Sequence, residues 1–468
     1  MRFEVVEGSL QTQNSCTFEL MRFTYFVSVL VGLLFIAGCS PSAFISREAK
    51  SNILHTTELE NAHVGIAVYD ASTNKSLYQY QSNKYFIPAS NTKLFSCYAA
   101  LKYLGDSITG IYYREDDTAI YLLPSGDPTF LHSDYSRQPV MNFLKSSNKK
   151  LYITDKNWRD NPLGFGWSWD DYNSDYMAER SALPVFGNVI RWTQERDTTQ
   201  KNIGGEFNNP VSIYSIPELN WKVRFSTEPN NSMFYVRRKK EENEFMISEG
   251  KEQKKTQDVP FITNGVQSAI ELILDSVGRP INLITTGVIN KPFSSSIKSQ
   301  PLDSLLAPMM HRSDNFFAEQ CLLMVSQQLL GYMSSAKVID TLLKSDFREL
   351  PEIPRWVDGS GLSRYNLFSP EDFVWLLNKM KAEFGMERLK HILPTGGTGT
   401  LSNFFRDGNG FLFAKTGTLS GQVALSGFLY TKKNKLLIFS ILVSNHNGSA
   451  AAIRKRTEAF LQKLRDQY

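Results

Sequence analysis

The sequence predicts an α+β fold: an antiparallel sheet flanked by helices and interrupted by a β-rich insertion. Three observations predict it. Strand-like runs lie at the two ends of the chain, at 63–69 and 76–80 and again at 422–430 and 436–443. Helical runs stand directly after two polar turns, at Ser90 and at Asn315. Between residues 106 and 260 the strand-like runs are short. The chain has 468 residues, 42% of them hydrophobic, enough for two or three cores.

The first pair of strands is separated by a turn carrying Asp70, Ser72, Asn74 and Lys75. Pro88 then precedes Ser90, and Leu94, Phe95, Tyr98, Ala99 and Leu101 follow at helical spacing. Ser90 therefore opens a helix, with Lys93 one turn further on the same face. Ser-x-x-Lys also occurs at Ser72, Ser146, Ser147, Ser295 and Ser334, so context rather than the pattern singles out Ser90. A serine hydroxyl becomes a nucleophile when a nearby base takes its proton. Lysine serves as that base when burial or neighbouring positive charge keeps it neutral. The alternative reading of Ser90 is a plain helix cap.

The middle of the chain, 106–260, reads as the insertion, with short strands at 111–113, 119–123, 151–154, 189–193 and 211–213. Its charged run 237–242 reads as a solvated hairpin tip, and Trp167 and Trp169 read as packing inside it. Beyond Phe261 the chain is expected to return to the main body. A helix is predicted over 266–277, a strand over 281–288, and a helix opened by Ser369 and Pro370. A terminal helix covers 453–464.

Two more polar motifs follow in order. Ser313-Asp314-Asn315 precedes the helical run 316–330. Ser313 is placed to pass a proton and Asn315 to bind an amide. Lys415-Thr416-Gly417-Thr418 lies on a strand edge, where the lysine charge and the threonine hydroxyl suit a carboxylate. Gly417 lets a second chain approach closely.

Ser-x-x-Lys, Ser-Asp-Asn and Lys-Thr-Gly in this order resemble the serine penicillin-binding proteins and β-lactamases. The chain resembles most the class C penicillin-binding proteins, the D-alanyl-D-alanine carboxypeptidase/endopeptidase family. Ser125-Gly126-Asp127-Pro128-Thr129-Phe130, the tract at Trp167–Asp171, Asp358-Gly359-Ser360-Gly361-Leu362-Ser363-Arg364 and Gly399-Thr400-Leu401 also resemble it. The resemblance runs from about Glu58 to the C-terminus and implies a penicillin-binding-protein/β-lactamase-like sheet. It implies Ser90 as acylated nucleophile, Lys93 as base and Ser313 as proton shuttle. Asn315, Lys415, Thr416, Gly417 and Thr418 would bind substrate, and the N–H groups of Ser90 and Thr418 would form the oxyanion hole. Thr418 stands where the family often has serine and keeps the hydroxyl. The implied substrate is peptidoglycan, with β-lactams as acylating inhibitors and no cofactor. The Asp358–Gly361 segment reads as a loop that shapes the site.

A β-lactamase, a non-catalytic penicillin-binding sensor and an esterase or amidase are the rival readings. Glu349 falls near the spacing where one β-lactamase branch keeps a glutamate, but Ile353 replaces the expected asparagine partner. The six histidines show no metal-ligand spacing, which argues against a zinc peptidase. A net charge of +4 without a basic tract gives no sign of a nucleic-acid partner.

Residues 1–39 read as a signal region starting at Met21. The apolar run 26–37 ends in Ile36-Ala37-Gly38-Cys39, which resembles a bacterial lipobox with Cys39 lipidated. That predicts a lipid-anchored periplasmic protein, with 40–57 as a polar tether or helix and 58–105 plus 261–468 as the catalytic domain. Of the four cysteines, Cys97 and Cys321 are expected on neighbouring helices as buried free thiols rather than a disulfide.

Overall fold

The computed structural model describes residues 1–4, 41–197, 211–226, 233–284 and 292–468. Residues 5–39 of the expected signal region, Cys16 and Cys39 among them, lie outside the described residues, as do 285–288 of the predicted strand.

The chain enters through α1 (Pro41–Ala49) and a π-helical turn (Lys50–Leu54). This segment was expected to be a polar tether or helix. It is helical, and it is no free tether: Ile45, Ala49 and Ile53 are fully buried against the main sheet, because its apolar residues recur every four positions on one face. Strands β1 (His63–Asp70) and β2 (Lys75–Tyr80) form the first hairpin, and α2 (Lys93–Tyr103) follows.

The insertion begins with β3 (Ser107–Glu115), β4 (Ala119–Pro124), α3 (Pro139–Lys145) and β5 (Lys150–Ile153). It continues through β6 (Val189–Arg196), β7 (Val211–Ile216), β8 (Val223–Phe225), β9 (Tyr235–Arg238), β10 (Phe245–Ser248) and β11 (Lys254–Pro260). Then come α4 (Gln267–Val277), β12 (Ile281–Leu283) and β13 (Ser295–Pro301). The strands form three sheets, ordered β12-β5-β4-β3-β13, β11-β6-β7 and β8-β10-β9. The expected return at Phe261 comes later here. Phe261, Val266, Ile270, Ile273 and Ile281 pack with β4, β5 and β10, and Leu302 is the next residue in the helical core. An amphipathic helix buries an apolar face, but its pattern does not say in which core. The charged run does form a hairpin tip between β9 and β10. Arg238 departs from it: the side chain is buried, with Nε donating to the Pro260 carbonyl at 2.9 Å.

The chain leaves the insertion into α5 (Leu302–His311), α6 (Asn315–Leu330) and α7 (Ser335–Lys344), then α8 (Pro370–Phe384) and α9 (Met386–Ile392). Ser369 caps α8, accepting from the Asp372 N–H at 3.2 Å while Asp372 accepts from the Ser369 N–H at 2.8 Å. Strands β14 (Leu412–Leu419), β15 (Gln422–Tyr430) and β16 (Leu436–Ser444) and helix α10 (Ala450–Gln467) complete the fold.

The main sheet runs β14-β15-β16-β1-β2, antiparallel throughout. Strands β1, β14, β15 and β16 are buried at consecutive positions and therefore on both faces, while the edge strand β2 is largely exposed. Val423, Leu425 and Leu429 face α1 and α10, while Ala424 and Phe428 face the core made by α2, α5, α6 and α8. Cys97 on α2 and Cys321 on α6 are free and fully buried in that core, and burial pushes the Cys97 thiol up to about 12.

Candidate active site

The site forms where α2, α6 and the edge strand β14 meet. Its centre is the turn before α2. Ala89 takes a left-handed backbone (φ 47°), and a 3-10 turn (Ala89–Thr92) runs straight into the helix. Asn91 locks this turn to the sheet through a 2.8 Å bond to Ser426 Oγ, which in turn reaches Ser440 Oγ at 2.8 Å. Ala89, Asn91, Thr92 and Lys93 are buried, and Ser90 alone in that run is partly exposed.

Lys93 is fully buried. Its Nζ lies 3.0 Å from Ser90 Oγ, 2.6 Å from Asn315 Oδ1 and 2.7 Å from the Ser360 carbonyl. Burial pushes Lys93 down to about 8, against an upward pull from Asp358, Asp314 and Glu319. Lys415, also fully buried, donates to Ser313 Oγ at 2.9 Å and to the Thr416 carbonyl at 2.8 Å. Burial first, and the Lys93 charge second, hold Lys415 well below the usual lysine range. The Lys93 charge therefore works against protonation of Lys415, and burial is the larger cause for both amines.

Ser313 sits at φ 62°, a left-handed conformation rare outside glycine, at the turn from α5 into α6. Asp314 caps α6 through the Phe317 N–H at 2.9 Å. Gly399 closes on this turn: a Cβ there would lie 2.6 Å from the His311 carbonyl oxygen. The Gly399-Thr400-Leu401 motif is thus a buttress behind Ser313. On the opposite wall, a Cβ at Gly417 would meet the Pro88 carbonyl oxygen at 2.6 Å and the Ser90 nitrogen at 3.2 Å. The close approach expected of this glycine is that of β14 to the serine turn.

All the motif residues from Ser90 to Thr418 converge here. Thr416 is buried and Thr418 exposed at the rim, its Oγ1 accepting from the guanidinium of Arg454. Cys39 lies outside the described residues. Glu349 is exposed beside Arg348 and is not part of the site.

Several further residues support the centre. Glu319, one turn beyond Asn315, is fully buried, accepts from the Ser360 N–H at 2.7 Å and pairs with Arg180 at 3.2 Å. Burial and the nearby Asp358 raise its carboxyl above the usual range, opposed by Arg180. Asp358 gathers the loop by accepting from the N–H groups of Gly361 at 2.8 Å and Ser363 at 2.6 Å and from Asn366 Nδ2 at 2.8 Å. It also accepts from Trp167 Nε1 at 2.9 Å, so Trp167 ties the insertion to the site rather than packing within it. Trp169 is exposed. Asn315 Nδ2 donates to the Tyr176 carbonyl at 2.9 Å, a second tie. Glu319 carried a sequence signal, a lone acid inside the apolar run Phe316–Val325; the contacts of Trp167 and Tyr176 had none.

The arrangement is suited to acyl transfer: a hydroxyl beside a buried amine of lowered basicity, and a hydroxyl–amine pair opposite. Comparison with known proteins agrees. The family model of the D-Ala-D-Ala carboxypeptidase 3 (S13) family matches residues 47–464. A D-alanyl-D-alanine carboxypeptidase from an Actinomadura species is 26% identical over 449 residues, spanning 86% of this chain and 82% of that protein. The D-alanyl-D-alanine carboxypeptidase DacB of Haemophilus influenzae is 21% identical over 459 residues, spanning 87% and 91% of the two chains. The crystal structure of penicillin binding protein 4 (dacB) from Haemophilus influenzae superposes with a TM-score of 0.69 at 19% identity. It covers 90% of this chain and 99% of that one, showing the same fold.

Proposed function

The chain belongs to the D-Ala-D-Ala carboxypeptidase 3 (S13) family, and from that premise we propose that Ser90 is the residue its substrates acylate. The protein is a serine-type D-alanyl-D-alanine carboxypeptidase acting on peptidoglycan stem peptides. One observation carries the assignment: Lys93 Nζ is buried 3.0 Å from Ser90 Oγ. In its neutral form Lys93 takes the hydroxyl proton as Ser90 Oγ attacks the carbonyl of the penultimate D-alanine. The N–H groups of Ser90 and Thr418 receive the oxyanion. Ser313 accepts a bond from Lys415 and gives its own hydrogen to the departing amine, and the proton that Lys93 took from Ser90 passes to Ser313 in its place. Terminal D-alanine leaves, and water then cleaves the Ser90 ester. Asn315 and Thr416 hold the peptide amide and the terminal carboxylate.

The same steps cut a cross-link when the departing amine belongs to a neighbouring stem peptide. Endopeptidase action is therefore part of the proposal, with the insertion reaching the site through Tyr176 and Trp167. We further assign the working place as the periplasm, the chain being lipid-anchored at Cys39. No helix among the described residues is long and apolar enough to cross a membrane.

Benzylpenicillin is expected to leave a stable mass adduct on the peptide carrying Ser90, and the protein to release D-alanine from diacetyl-Lys-D-Ala-D-Ala. Mass spectrometry of digested sacculi then reads carboxypeptidase against endopeptidase products. An adduct elsewhere, or rapid sustained hydrolysis of a chromogenic β-lactam, contradicts the reading.

Lys415→Ala removes the donor to Ser313 and the amine paired electrostatically with Lys93. Acylation by peptide and by β-lactam is expected to fall about 10- to 100-fold, the scale of one charge-assisted hydrogen bond. Stopped-flow acylation with an unchanged melting curve checks this; unchanged rates contradict it.

A further inference from the structure

The carboxylate subsite has a charge problem. Lys415, the cation expected to hold the substrate's terminal carboxylate, is fully buried and already donates to Ser313 Oγ and the Thr416 carbonyl. Its environment also disfavours its charge. A second cation stands at the mouth. Arg454, on the second turn of α10, donates from Nη2 to Thr418 Oγ1 and lies over the Phe404 ring, 5.3 Å from its centroid. Arg454 and Thr416 line the same small cavity, together with Leu401 and Phe404.

Among the described residues no carboxylate pairs with Arg454. Elsewhere on the helix Arg456 pairs with Glu58 at 3.1 Å and Arg465 with Asp466 at 3.8 Å, while Lys455, like Arg454, has no carboxylate partner among the described residues. Burial also works against the charge of Arg454. A half-buried guanidinium without a carboxylate partner, bonded to the rim hydroxyl, is a site that an anion would complete.

We infer that Arg454 is the permanently charged member of the carboxylate subsite, holding the terminal carboxylate of the substrate through its own charge and through Thr418. By donating to Thr418 Oγ1, it turns the hydroxyl hydrogen outward as a donor for the ligand. Arginine keeps its charge where lysine surrenders it. The assignment rests on the carboxypeptidase reading above and gives Arg454 the discrimination between free and capped C-termini.

The test uses the full chain carrying Ser90→Ala, which binds without turnover. Titration calorimetry compares diacetyl-Lys-D-Ala-D-Ala with its C-terminal amide. Adding Arg454→Ala is expected to weaken the free acid about 10- to 100-fold and leave the amide unchanged, with Arg454→Lys between. An equal loss on both peptides marks a merely structural role and overturns the inference. So does unchanged affinity for the acid, or a Ser90→Ala protein that shows no preference for it. Failure of the acyl-transfer reading is seen separately, as absence of a benzylpenicillin adduct on the protein that retains Ser90.

Discussion

Lys93→Ala is expected to lower the rate of acylation by benzylpenicillin about a thousandfold or more. General-base assistance alone is worth about 10²- to 10⁴-fold. The substitution also orphans three acceptors that the amine now joins: Ser90 Oγ, Asn315 Oδ1 and the Ser360 carbonyl. The pH dependence has a definite sign. Burial holds Lys93 at about 8, and only its neutral form accepts a proton. The second-order acylation constant of the parent should therefore rise roughly tenfold per pH unit below about 8 and level off above it, because that constant reports the free enzyme. In Lys93→Ala the limb should vanish along with the rate. A parent whose acylation is flat between pH 6 and 9 would remove Lys93 from the role of base.

Gly361→Ala carries the second large expectation. Gly361 has φ 82°, and a Cβ there would lie 1.9 Å from the Ala89 carbonyl oxygen and 2.5 Å from its carbon. Neither neighbour is a flexible side-chain end. Ala89 is itself left-handed and immediately precedes Ser90, so the added methyl pushes on the serine turn. Backing away also moves the Ser360 carbonyl from Lys93 and loosens the bonds that Asp358 makes to the loop. Acylation should fall at least about 100-fold, since ångström-scale misplacement of reacting groups costs this much. Stability should drop by about 2–4 kcal/mol, the scale of strain plus overpacking. Denaturant melts and stopped-flow acylation read the two effects separately; a variant with parental values in both would show that the loop yields freely.

The residues that meet at the site were legible because each motif is local. Ser90 and Lys93 share a helix face, Ser313 and Asn315 flank a helix cap, and Lys415 to Thr418 lie on one strand. What was not legible lies between segments far apart in the chain. Arg180 meets Glu319 across 139 positions, and Trp167 meets Asp358 across 191. No local pattern specifies such a pairing, and only the acid in the apolar run of α6 hinted at one. The same limit explains the fold-level differences. The periodicity of α1 and α4 announces an apolar face without saying what covers it. For α1 the cover is the main sheet, and for α4 the core of the insertion.

The pairing of β1 with β16 joins residues 63–70 to residues 437–444. It therefore bears on the order in which the molecule can be made. While the chain emerges, β1 has only β2 to pair with, and the strand that Asn91 braces through Ser426 does not yet exist. Loop closure across 335 residues must be met before that contact forms, which places it late in folding. The nucleophile turn is thus translated early and set last. Until β15 and β16 arrive, the turn around Ser90 lacks the sheet that braces it, so acylation at Ser90 is expected only after those strands have paired.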